Sequence, residues 1–306
     1  MKSFKIEAVR IILLLAIGAA FPVAAQEVGK TAAGAPKTAT KHSLWKIEGK
    51  KASVYLLGSI HVLKSSDYPL APQIETAFSN SDIVAFETDI AALEDPATAM
   101  KMMGKMQLPE GETLETQLAP DVYKLFKKHA DDSGMPAMLL EKMKPAMAAM
   151  MIEVLELTKL GLEPDKGVDK HFFGIAREAS KQIIPLETVE FQMNLLTDFT
   201  KEEGQAMMKA TLKDVENIKS DLADLLAAWK TGESGKLDKM LNEAMQDSPA
   251  IYKRLVTQRN HNWIPKVEEL ARGDKNAIVI VGAAHLVGKE GVVELIKDKG
   301  YKVVQE

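Results

Sequence analysis

Four short apolar runs, each followed at once by polar residues of the same kinds, do most to restrict the folds open to this chain. VYLL leads into Gly58-Ser59-Ile60-His61 and IVIV into Gly282-Ala283-Ala284-His285, while IVAF leads into Glu87-Thr88-Asp89 and IIPL into Glu187-Thr188. Apolar runs of this length bounded by turn residues read as strands. Between VYLL and IVAF, the segment Pro69 to Asn80 reads as a short helix, with proline near its start and Ile74, Ala77 and Phe78 at helical spacing. Strand, helix, strand is the signature of a parallel sheet. Ligands of open α/β sheets bind beyond the carboxyl ends of the strands, so the four polar turns are expected along one edge.

The rest of the chain fits around that sheet. LWKIEGKKASVYLLGS reads as two strands about a Gly-Lys-Lys turn, so VYLL is the second strand in order. Residues 91–165 read as helical, with breaks at Pro109, Pro120, Gly134-Met135-Pro136 and Gly161. A helix near Lys170 to Ser180 precedes the strand Gln182 to Leu186. Residues 198–272 again read as helical, with a loop around Thr231 to Gly235 and a second break near Pro265. A strand from Ala277 to Val281, a helix from Lys289 to Lys299 and a strand from Tyr301 to Val304 close the chain. The expected class is α/β, a central and mostly parallel sheet with large helical insertions over about 91–165 and 198–272. Residues 43–306 are read as one domain, because neither end alone has enough strands to be stable. Strand–GxxH–helix–strand occurs at 52–86 and again at 277–304, the pattern of an internal duplication.

The start of the chain is a different kind of segment. Lys2, Lys5 and Arg10 precede the apolar run Ile11 to Phe21, and Val23-Ala24-Ala25 follow it. Basic start, short apolar core and small-residue exit are the parts of a secretory signal peptide, here residues 1–25. The uncharged stretch is about 15 residues against the roughly 20 of a spanning helix, so the membrane is expected to matter only if the signal stays uncleaved. Residues 26–42 are rich in Ala, Thr, Lys and Gly and read as a flexible linker. The mature protein is expected in the bacterial periplasm or secreted. Its net charge, −4 for the whole chain, falls to −6 without Lys2, Lys5, Arg10 and Glu7, which gives no reason to expect nucleic acid as a partner.

The chain has no cysteine. That excludes disulfides, thiolate zinc sites, iron–sulfur clusters and cysteine nucleophiles. Two imidazoles with one or two carboxylates remain, a nitrogen and oxygen set that suits Mn²⁺, Co²⁺ or Zn²⁺. His61, Glu87 and His285 are therefore candidate metal ligands, with Glu187 as a fourth ligand or the general base for a water. Other signals are weaker. Ten of the 16 methionines fall between Met100 and Met151, but the three- and four-residue spacing in PAMLLEKMKPAMAAMMIEVL is that of a helical stripe rather than a copper site. Gly282 to Glu290 lacks the spacing and the Ser or Thr of a phosphate loop.

Taken together these residues resemble the TraB/GumN family, which groups with the Tiki-like proteins. The resemblance runs from Leu44-Trp45 to the end and rests on LWKIEG, YLLGSIHVL, VAFETD, GVDKHF with PLETVEFQ, QRNHNW and VGAAHLVGKEGV in that order. It implies metal-dependent hydrolysis of peptide bonds, with His61, His285 and Glu87 at the core of the site. It further implies catalytic roles for Glu187, Arg259 and Asn260, and roles in substrate binding for Gln192 and Asp169. Arg259 would stabilise an oxyanion or hold a substrate carboxylate; Asp169 could equally cap the helix that follows it. The expectation is an exported metal-dependent hydrolase acting on a peptide or other small amide or ester. The alternatives are a non-catalytic module binding peptide, metal or heme, or an interaction protein of the cell envelope.

Overall fold

The order of strands in the sheet follows from which runs can be buried on both faces. In the computed structural model, which describes residues 41–215, 217–242, 245 and 248–306, the six strands are β1 (Leu44–Glu48), β2 (Ser53–Ser59), β3 (Ile83–Phe86), β4 (Gln182–Pro185), β5 (Ala277–Gly282) and β6 (Val303–Gln305). They lie in the order β4-β3-β5-β2-β1-β6. All six residues of β5 are buried, and β5 has the unbroken apolar sequence of a strand covered on both faces. It therefore takes a central place, parallel to β2 on one side and to β3 on the other. Burying each of its large aliphatic side chains contributes about 1.5–3 kcal/mol. At one edge, β4 carries Pro185, tolerated because an edge strand need not donate on its outer side.

β1 and β2 form the expected antiparallel hairpin, Leu44 opposite Leu57 and Glu48 opposite Ser53. β6 then adds antiparallel to β1. The central strands set up a crevice. From β2 the chain passes through helix α1 (Pro72–Ser79) to β3, leftward in the strand order given; from β5 it leaves rightward to β6. Adjacent parallel strands whose connections depart in opposite directions open a cleft at their carboxyl ends. Both G-x-x-H turns emerge there.

Three further helices bring side chains to that cleft, namely α2 (Val168–Glu178), α3 (Val189–Thr197) and α4 (Gln258–Arg272), and α5 (Val292–Asp298) precedes β6. The insertions are helical as expected. Pro120 and Pro145 open helices rather than merely interrupting them, since proline lacks an N–H that the first turn leaves unused anyway. Helices Pro145–Lys159 and Lys201–Asp214 pack on each other. Met147 and Met150 of the methionine stripe are buried, whereas Met100 and Met103 are exposed.

One expected boundary is absent. Pro265 lies inside α4, not at a break. Its ring removes one helical hydrogen bond, at a cost of about 3 kcal/mol. Trp263, Ile264, Val267 and Leu270 on either side are buried, and that continuous apolar face outweighs the local cost. Residues 1–40, where the signal peptide and most of the linker are expected, lie outside the described residues. His42, at the end of the linker, is buried, its N–H bonded to the Glu306 carbonyl at 2.6 Å. Among the described residues no helix is long and apolar enough to cross a membrane.

Candidate functional site

The two G-x-x-H turns touch through the first glycine. A Cβ on Gly58 would lie 3.2 Å from both Cα and Cβ of Ala283. The sequence suggests that the glycines allow a sharp turn, but Gly282 has φ −49° and Gly58 lies within β2. At Gly58 it is close approach, tighter than an ordinary van der Waals contact, that favours glycine.

His61 is held from the other side by the start of α2. Val168 donates its N–H to the Ile60 carbonyl at 3.0 Å. A Cβ on Gly167 would fall 2.4 Å from the His61 carbonyl oxygen and 2.7 Å from its carbon, so only glycine lets the helix dock. That docking places Asp169 Oδ1 2.8 Å from His61 Nδ1 and 2.7 Å from Ser59 Oγ, which donates to it. Asp169 is thus committed to His61 and Ser59, and no side-chain cap forms at the start of α2. With Nδ1 facing a carboxylate, His61 turns Nε2 inward, 4.0 Å from Glu87 Oε1 and without a hydrogen-bond partner. Gly167→Ala should lower stability by about 1–3 kcal/mol, the usual range for forcing extra volume into a packed site. The companion measurement is imidazole NMR, in which the Asp169 bond to His61 should be lost; an unchanged His61 signal would contradict it.

Glu87 follows β3 directly and is 2% exposed. Its Oε1 accepts the Gly282 N–H at 2.7 Å, and its Oε2 accepts from Arg259 Nη2 at 2.5 Å and from Gln192 Nε2 at 3.2 Å. Glu187 follows β4 and shares the same guanidinium: Nη2 at 2.6 Å and Nε at 3.1 Å. It also accepts from Trp263 Nε1 at 3.1 Å and Gln192 Nε2 at 3.3 Å. Gln192, one turn into α3, therefore bridges the two carboxylates. Arg259 itself is fully buried, and its Nη1 reaches the Leu255 carbonyl at 3.2 Å and His285 Nε2 at 3.0 Å. His285 Nδ1 donates to Asn260 Oδ1 at 2.6 Å, and Asn260 Nδ2 donates to the Glu290 carbonyl at 2.7 Å. Those partners set the imidazole as an Nδ1–H tautomer whose Nε2 lone pair receives Arg259.

The charges separate the two glutamates. Burial alone would raise the Glu87 pKa, but Arg259, His285, His61 and the Gly282 N–H outweigh it and hold the carboxylate below its ordinary value. For Glu187 burial prevails over Arg259, and the pKa lies above the ordinary value. Burial would lower the pKa of His61, yet Asp169 and Glu87 overcome it and the pKa is raised. Burial would raise that of Asp169, and His61 with Ser59 holds it down. Burial and charge thus drive the two carboxylates apart, with Glu87 held in its ionised form more firmly than Glu187.

All eight residues singled out in the sequence lie in this one network. It also contains Ser59 and Trp263, which the sequence reading missed. Ser59 stands two residues before His61 at a strand end, and Trp263 stands four after Arg259, one helical turn on. The Trp263 ring lies 4.6 Å from His285 and 4.8 Å from the Arg259 guanidinium.

A divalent cation fits the donors in kind. His61 Nε2 is a buried nitrogen without a partner, backed by a carboxylate as metal-binding imidazoles commonly are. His285 is backed likewise by Asn260. Among the described residues, however, no three His, Asp or Glu side chains are gathered closely enough to hold a metal ion. The guanidinium of Arg259 stands between them.

The sequence model of the TraB/PrgY/gumN family matches residues 43–305. The uncharacterized protein YbaP of Escherichia coli (strain K12) is 24% identical over 243 residues, covering 79% of this chain and 87% of its own. Metalloprotease TIKI2 of Danio rerio is 24% identical over 300 residues, covering 81% of this chain and 57% of its own. Metalloprotease TIKI1 of Homo sapiens is 24% identical over 314 residues, covering 85% and 61%. No solved structure matches.

Proposed function

The chain belongs to the TraB/PrgY/gumN family, and from that premise we propose that it is an exported metal-dependent hydrolase of peptide bonds, or of a comparable small amide or ester. Two lines support the reading. Relatives at 24% identity are named metalloproteases, though this chain spans only about 57–61% of their length. The observation that carries most weight is the buried strand-end cluster, where an imidazole nitrogen without a hydrogen-bond partner lies 4.0 Å from Glu87, and Glu87 shares Arg259 with Glu187, whose pKa is shifted the opposite way. Export rests on the pattern of residues 1–25.

Each group has work to do at a scissile carbonyl. Mn²⁺, Co²⁺ or Zn²⁺ held by His61, Glu87 and His285 would polarise that carbonyl and lower the pKa of a water. Glu187 accepts the proton of the attacking water and returns it to the leaving nitrogen, for which its raised pKa is suited. Asp169 holds the Nδ1 proton of His61 and so keeps Nε2 directed at the site. Asn260 does the same for His285 through its side-chain carbonyl. Arg259 supplies fixed positive charge against a developing oxyanion or a substrate carboxylate. Gln192 spaces Glu87 from Glu187.

The test is a peptide library incubated with purified protein and read by mass spectrometry, with and without added Mn²⁺, Co²⁺ or Zn²⁺. Cation-dependent loss of defined peptides, abolished in His285→Ala, is expected. Retention of peptides without cleavage under every condition would replace the hydrolase reading with that of a binding module.

A further inference from the structure

The position of Arg259 has a consequence for how any cation reaches the site, and it rests on the metal-dependent reading above. A guanidinium has five N–H donors, and here the contacts engage all three of its nitrogens. Nε goes to Glu187; Nη1 goes to the Leu255 carbonyl and His285 Nε2; Nη2 goes to Glu87 and Glu187. Three of those acceptors, Glu87, Glu187 and His285, are the donors a divalent cation would need. A side chain and a metal ion cannot use the same lone pairs together. Among the candidate donor atoms, His285 Nε2 and Glu87 Oε2 are within the guanidinium's contacts, whereas Glu87 Oε1 accepts the Gly282 N–H and lies 4.0 Å from His61 Nε2, which has no hydrogen-bond partner.

We propose that Arg259 is a built-in counter-cation seated against the donor set, so that a divalent metal held by His61, Glu87 and His285 binds only by displacing the guanidinium from His285 Nε2, whose single lone pair it occupies. The two cations are alternatives, and each neutralises the same buried carboxylates. Displacement leaves Arg259 close to the cleft, where its positive charge is released toward whatever anionic group the substrate carries.

The backbone next to Arg259 has the irregularity such a movement needs. Lys253–Thr257, immediately before α4, is a π-helical turn, a feature common at functional sites in helices. Leu255 within it offers its carbonyl to the Arg259 side chain. The Trp263 ring on the same helix provides a flat face along which the guanidinium rests. Neither feature would be required of an arginine serving only as a surface charge, and Arg259 is wholly buried.

The experiment measures cation binding to the full chain by equilibrium dialysis with Mn²⁺ and with Zn²⁺, alongside thermal melting. Arg259→Met removes the competing charge and takes the guanidinium away from Glu87 and Glu187. It should bind the cation at least tenfold more tightly than the wild type, and its Tm should rise on cation addition by more than the wild type's. Arg259→Lys keeps one charge with fewer bonds; it serves if the methionine variant does not fold, and its affinity should lie above the wild type's. Equal or weaker binding by both variants, or no binding by any of the three proteins, overturns the proposal. Peptide cleavage is scored separately. Tighter binding by the variants without cleavage by the wild type upholds the proposal and removes the hydrolase reading; cation-dependent cleavage by the wild type with affinity unchanged in both variants does the reverse.

Discussion

Glu87→Ala should lower the stability of the metal-free protein by about 3–5 kcal/mol, the range for removing one partner of a buried ion pair. The expectation follows from what Arg259 would be left with. The guanidinium is fully buried, and Glu187, the other carboxylate bonded to it among the described residues, has a raised pKa because burial disfavours its charge. Losing Glu87 takes away the anion that keeps its charge and also leaves the Gly282 N–H without the acceptor it has at 2.7 Å. Urea unfolding of the two proteins at neutral pH is the measurement. Glu87→Gln separates charge from shape. The Glu87 pKa is lower in the folded chain than in the unfolded one, so its contribution is fully present above the ordinary carboxylate pKa of about 4.3. It is lost as pH falls through the folded value. The wild-type and glutamine curves should therefore converge on acidification. A constant gap down to the lowest pH at which both stay folded would show that the charge of Glu87 is not what stabilises the cluster.

His61→Ala should reduce peptide cleavage by about 10²–10⁴-fold, the span typical of removing a group placed on the reacting proton or its activator. Its Nε2 is the buried nitrogen that faces the cleft without a protein partner. Asp169→Asn changes only the group behind it, and substitutions of that kind cost about 10–100-fold in metal affinity or activity. The asparagine should therefore show a smaller loss than the alanine, and the loss should appear in cation affinity as well as in rate. Equal rates for wild type and His61→Ala would remove His61 from the chemistry. Equal losses in the two variants would mean that the Asp169 contact, rather than the free nitrogen, is the essential feature.

The strand ends were legible because chemistry there is local in sequence. An apolar run dictates a covered strand, and the residue after it must leave the sheet at a defined edge. Glu87, Glu187, His61 and His285 could be placed along that edge without knowing the order of the strands. Arg259 could not. Its helix lies 72 residues beyond Glu187 and 172 beyond Glu87, and nothing in the run QRNHNW states that its side chain points into the sheet edge rather than into solvent. Asp169 was similarly ambiguous, since an aspartate in the first turn of a helix suits capping as well as a contact to a distant imidazole. Pro265 misled because the local penalty for proline is visible in sequence, whereas the buried face that offsets it is assembled from elements far apart.

The sequence by itself therefore determined the class of fold, the edge at which the polar residues gather and the kinds of donor available there, because each depends on a few consecutive residues and on the missing cysteine. Tertiary structure decided how those donors are engaged. Only the placing of α4 beside the turns that hold Glu87, Glu187 and His285 brings a guanidinium onto all three, and only the close approach of Gly167 to His61 aims Asp169 at the imidazole. Charge pairing in a buried site depends on distances between residues remote in the chain, and a linear pattern does not carry those distances.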